Sequence, residues 1–92
     1  MTEQERIDLI KLDQLITEDD MDGLLKQLLK EAEANISREG ITLSDNDDDE
    51  GLRRMYTGYL YQQRQEPGMQ MPRMLRYALN NRVMHEKGRK DG

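Results

Sequence analysis

Apolar positions along this chain recur mainly at spacings of three and four, the period of a helix with one side to bury. Nowhere do they alternate with polar positions as a half-buried strand would require. The clearest stretch runs from Thr17 to Gly40, where Met21, Leu24, Leu25, Leu28, Ala32 and Ile36 line up as one stripe. Thr17 is placed to cap the first turn, and Glu18, Asp19, Asp20 and Asp22 bring negative charge to the positive end of the helix dipole. Ile16 is placed to staple onto Met21. Arg38 in the last turn and Gly40 just beyond it mark the end. A helix of roughly 20 residues spans about 30 Å, the width of a small domain, so the other segments must pack around it.

Residues 4–16 predict a short helix with Ile7, Ile10 and Leu15 on its inner stripe and Leu9, Leu12 and Ile16 on other sides. Residues 41–51 hold Ile41 and Leu43 as their only apolar residues before a run of acidic and amide groups, which predicts a surface loop. The next helix is expected from Asp49 to Gln65, with Leu52, Met55, Tyr56, Tyr59, Leu60 and Gln63 inward and Arg53, Arg54, Thr57, Tyr61 and Arg64 pointing elsewhere. Gly58 is unfavourable in mid-helix and predicts a close helix–helix approach. Pro67-Gly68 ends that element, and Pro72 suits the first turn of a last helix over 72–87, with Met74, Leu75, Ala78, Leu79 and Val83 inside. The expected fold is all-α: a small bundle of three main helices plus a short N-terminal helix. It forms one domain over residues 1–87, followed by a flexible basic tail, 88–92.

Composition sharpens this picture. With 92 residues and 35% hydrophobic content, the core is thin. There is no Phe and no Trp, so four Tyr and seven Met join the aliphatic residues, and the methionines pack adaptably rather than rigidly. Such a domain is expected to gain stability from partners. The absence of cysteine excludes disulfides and cysteinyl metal sites. The start has no basic, apolar signal pattern and no apolar run reaches membrane-spanning length, so the protein is expected to be soluble, with no membrane partner. The net charge of -5 conceals a split, with -11 over residues 1–51 and +6 over residues 52–92. That split favours attraction within the chain and also head-to-tail contact between copies.

The sequence offers little for catalysis. Asp45, Asp47 and Asp49 alternate as calcium ligands would, but Glu50 stands where the loop requires glycine and Tyr56 where it requires a bidentate glutamate. Capping of the following helix by Asp48 or Asp49 is the expected role of this run. His85 is the single histidine and falls near a helix end, where its charged form suits the dipole. No phosphate-binding glycine motif exists. No catalytic, cofactor-binding or metal residue is therefore assigned, no cofactor is expected, and an enzyme is not the expected class. Arg73, Arg76, Arg82, Lys87, Arg89 and Lys90, with Tyr77 among them, offer a sequence-independent attraction to phosphates, which the acidic half opposes. Tyr56 and Tyr59 fall on the apolar helix face and are expected in the core.

Several features in order resemble the small helical head-tail connector (head-completion, or adaptor) proteins of long-tailed phages and prophages. They are Asp20-Met21-Asp22 opening the long helix, Leu24-Leu25 and Leu28-Leu29 leading to Ala32 and Ile36, and Tyr59-Leu60-Tyr61-Gln62-Gln63-Arg64 closing the third helix. Met71-Pro72, Met74-Leu75 and Asn80-Asn81-Arg82 complete the pattern, which covers roughly residues 12–84. The short, very acidic 44–51 region departs from it. The resemblance implies a virion component made in the host bacterial cytoplasm: a homo-oligomeric ring of about twelve subunits below the portal protein, through which DNA passes unread and onto which further connector or tail proteins assemble. In such a ring Arg53, Arg54, Arg64 and Arg73 are expected to meet Asp47, Asp48 and Asp49 of a neighbour. The segment carrying His85, Lys87, Arg89 and Lys90 is expected to order on the portal or another partner. The alternative is a small helical DNA-binding or regulatory adaptor protein.

Overall fold

The computed structural model describes residues 1–91, with side chains described through Gly88. Four α-helices account for most of it: α1 (Glu3–Asp13), α2 (Asp22–Arg38), α3 (Asp47–Gln65) and α4 (Arg73–Asp91). A short 3-10 turn, Asp19–Met21, precedes α2, and no strand occurs among the described residues. The molecule measures 47 × 31 × 17 Å.

Each helix start has a local cause. Thr2 accepts the N–H of Glu5 at 3.1 Å while Glu5 accepts the N–H of Thr2 at 3.0 Å, a reciprocal capping box that fixes the start of α1. At α3 the cap is Asn46, whose side chain accepts the N–H of Asp49 at 2.8 Å. The expected caps Asp48 and Asp49 instead lie inside the first turn, because Asn46 is the residue that retains extended backbone. Thr17 does not cap α2 either. The 3-10 turn intervenes, Met21 takes the cap position without a side-chain bond, and Met21 packs with Ile16 in the core rather than as a staple. Pro72 precedes α4, and its carbonyl accepts the N–H of Arg76 at 3.1 Å.

Two helix ends share a geometry but not a residue. After α2, Gly40 adopts φ 97 and donates its N–H to Ser37, the left-handed C-cap predicted from sequence. After α1 the same position is held by Leu15 at φ 57, with Leu15 N–H bonded to Leu12 O at 3.3 Å and Ile16 N–H to Lys11 O at 2.8 Å. These paired bonds are those of a Schellman motif. The turn reverses the expected roles. Leu15 is thrown outward to 86% exposure, and Ile16 folds back into the core.

The interior has two clusters that share α2 as a spine. Leu25, Leu28 and Leu29 of α2 meet Ile7, Ile10 and Ile16, whereas Ala32 and Ile36 meet Ile41, Leu52, Tyr56, Leu75 and Leu79. Leu60 of α3 packs against both and joins them. Burying one such aliphatic side chain stabilises by about 1.5–3 kcal/mol. Met55 and Met74, expected inside, are exposed. Arg53 and Thr57, expected to point elsewhere, are buried, because α3 has neighbours on more than one side. A Cβ at Gly58 would lie 2.7 Å from the side-chain nitrogen of Gln14, so the glycine meets the tip of a side chain just after α1 and no helix backbone. The α4 helix runs past residue 88, where the tail was expected to begin, and continues to Asp91. The side chains of Arg89 and Lys90 and all of Gly92 lie outside the described residues.

Candidate functional site

The acidic run of residues 45–50 is divided between burial and solvent. Asp49 and Glu50 are buried, and Asp45, Asp47 and Asp48 are exposed. Because successive helical residues point about 100° apart, residues 49 and 50 turn inward while 47 and 48 turn outward.

Glu50 is the centre of one ion-pair network. Arg6 of α1 donates to it through Nε at 2.8 Å and Nη2 at 2.7 Å, and Arg53 donates through Nη1 at 3.0 Å. Arg53 also donates from Nε to Glu33 of α2 at 2.8 Å and from Nη1 to the carbonyl of Ser44 at 2.7 Å. The bonds from Arg6 hold the Glu50 carboxyl below its ordinary range, against the opposing effect of burial. Asp49 is the centre of a second network, accepting Arg82 of α4 and both the N–H and hydroxyl of Ser44. Burial pushes the Asp49 carboxyl up, but Arg82 and Ser44 together outweigh burial and hold it below the usual value. Arg82 reaches on to the carbonyl of Thr42 at 3.0 Å and to Glu86 at 3.1 Å. All four helices and the 42–44 strap are thereby tied to the first turns of α3.

This arrangement corrects two sequence expectations. The 45–50 region is largely the start of a helix and not a loop. Arg53, expected on an outer surface facing a neighbour, is only 6% exposed and fully engaged within its own chain. Arg54 is likewise paired with Asp13, at 2.6 and 3.0 Å. Arg64 and Arg73 are exposed and take part in no ion pair found among the described residues. His85 and Lys87 are exposed on α4.

A groove of about 630 Å³ runs between the start of α3 and the middle of α4, lined by Asp47, Asp48, Met55, Arg82 and His85 among others. A neighbouring groove of about 420 Å³ lies between the end of α1 and the start of α4, over Met55 and Gly58. Both are open surface channels that share Gly51 and Met55. Asp47 and Asp48 of α3 and His85 of α4 line this same groove, but no group of three or more metal-ligating side chains occurs among the described residues. The grooves adjoin an uncovered apolar surface, with Met74 at 77%, Tyr77 at 60% and Met84 at 71% exposure on α4. A second one lies at the end of α1, with Leu12 at 70% and Leu15 at 86%. Sequence reasoning missed this corner, although Leu12 already stood off the inner stripe. No helix among the described residues is long and apolar enough to cross a membrane.

Compared with protein-family models, curated proteins and solved structures, the chain matches none.

Proposed function

We propose that this protein is a non-catalytic structural subunit that assembles with copies of itself, in the manner of a phage head-tail connector ring seated below a portal. One observation carries the assembly reading: a domain with a thin core leaves Leu12, Leu15, Met74, Tyr77 and Met84 in solvent while its buried charges are spent on holding its own helices together. Large apolar side chains left uncovered in two places support this reading. The connector reading adds the order of sequence features from Asp20 to Arg82, and with it a channel for DNA and a platform for tail proteins.

The alternative of DNA binding through α4 is weakened by the same network. Arg82 is committed to Asp49 and Arg76 to Glu39 at 2.9 Å, which removes two of the six cations that such a surface would use. Electron microscopy and sedimentation of the full chain, alone and mixed with a phage portal ring, test the proposal. Closed rings of one mass are the expected result. A 10.8 kDa monomer at every concentration, in both conditions, overturns it. A shifted DNA duplex at physiological salt, without rings, favours the alternative.

A further inference from the structure

Resting on the assembly reading, we propose that copies join head to tail, with the Leu12–Leu15 corner of one copy seated against the Met74–Tyr77–Met84 face of α4 on the next.

The corner is anomalous twice over. Leu15 takes a left-handed backbone conformation that disfavours a large side chain, at a position where α2 uses Gly40. That conformation closes the end of α1 and turns Ile16 into the core, but it leaves the leucine side chain in solvent, like that of Leu12. A smaller residue would close the same turn, so it is the two large apolar side chains left in solvent that a receiving surface explains. Glu18, Asp19 and Asp20 follow immediately and are all exposed, which gives the corner an acidic frame. Lys11 lies 3.6 Å from Asp19 and 2.9 Å from Asp22 and offsets part of this charge.

The face on α4 is the complement. At about 100° per residue, Met74, Tyr77 and Met84 fall within about 80° of arc on one side of the helix, with exposed Asn81 between Tyr77 and Met84. Its two methionines can reshape around a leucine. Exposed Arg73 and Lys87 stand on the same side of the helix and frame the stripe with positive charge. Corner against corner would bring acid to acid, and face against face would bring base to base. Corner against face pairs opposite charges around an apolar centre. In the head-to-tail arrangement proposed, the corner and the face of one copy engage two different neighbours, so each contact is heterologous and leaves one free surface of each kind. Repetition then closes a ring or extends a filament. A two-fold pair in which corner and face engage one partner twice would stop at a dimer and overturn this arrangement.

The test uses the full chain in three forms, each checked for fold by circular dichroism and thermal melting. The corner variant is Leu12→Gln with Leu15→Gly, which relieves the strained backbone and therefore folds. The face variant is Tyr77→Asp with Met84→Glu, on side chains already in solvent. Sedimentation velocity is expected to show self-association weakened about tenfold or more in each variant. An equimolar mixture of the two is expected to form one-to-one pairs and nothing larger, because only one intact corner meets one intact face. Wild-type association should also weaken as salt rises. A wild type that assembles, with a corner variant that assembles equally well or a mixture that stays monomeric, overturns this interface alone. A wild type that is monomeric at every concentration, both alone and with the portal ring, overturns the assembly reading and the interface with it.

Discussion

The fully buried carboxylate of Asp49 accepts the guanidinium of Arg82, 33 positions further along the chain, and this pair ties α4 to the start of α3. Removing the cation leaves a buried anion with only the Ser44 N–H and hydroxyl as donors. Arg82→Ala is therefore expected to destabilise the fold by about 3 kcal/mol, within the range for breaking a buried pair from one side. Urea denaturation measures it. Arg82→Lys should recover only part of the loss, since an ammonium cannot reach Asp49, Thr42 and Glu86 together as the planar fork does. Equal stability of Arg82→Ala and wild type would show the pair to be inconsequential.

Acid should unfold the protein through this same region. Asp49 and Glu50 are both held below their ordinary values of 3.8 and 4.5, so the folded state binds their protons less readily than the unfolded chain does. Their contribution is complete above the ordinary values and is lost as pH falls through the lower folded ones. Melting temperature followed from neutral pH downward should decline steeply once the pH is below about 4. Glu50→Gln should flatten that decline while lowering stability at neutral pH. A melting temperature indifferent to acid would contradict the network.

Thr57 is completely buried in α3, and its hydroxyl finds no hydrogen-bond partner among the described residues. Replacing that hydroxyl with a methyl removes an unmet desolvation cost and keeps the shape. Thr57→Val is expected to stabilise by about 1 kcal/mol, which raises the melting temperature of a domain this size by about 4–8 °C. A destabilised variant would mean that the hydroxyl has a partner after all.

The two left-handed C-caps predict opposite outcomes for exchanged residues. Gly40→Ala forces a Cβ onto φ 97 and should cost about 1 kcal/mol. Leu15→Gly frees φ 57 of its side chain, loses almost no burial, and should stabilise the monomer by about 1 kcal/mol. Thermal melts at a concentration low enough to exclude association check both signs.

Sequence by itself determined that the chain is helical, where its three main helices lie to within a few residues, and that α2 carries the apolar stripe around which the rest packs. Those features are local: periodicity, Gly40 at a helix end and Pro72 at a helix start act on neighbouring residues only. It also supplied Ile7, Ile10, Leu25, Leu28, Ile36, Leu52, Leu75 and Leu79 as apolar positions, all of which are buried. Tertiary structure alone decided the fate of the charges and of the residues on helix flanks. Whether Asp49 is a solvated acid or a buried anchor depends on Arg82 arriving from another helix. Whether Arg53 faces a neighbour depends on Glu33 and Ser44 closing over it. The outward turn of Leu15 was likewise invisible, because a backbone angle of opposite sign exchanged its place with Ile16. Periodicity reports which side of a helix is apolar, but only packing decides which of the remaining sides meet another helix.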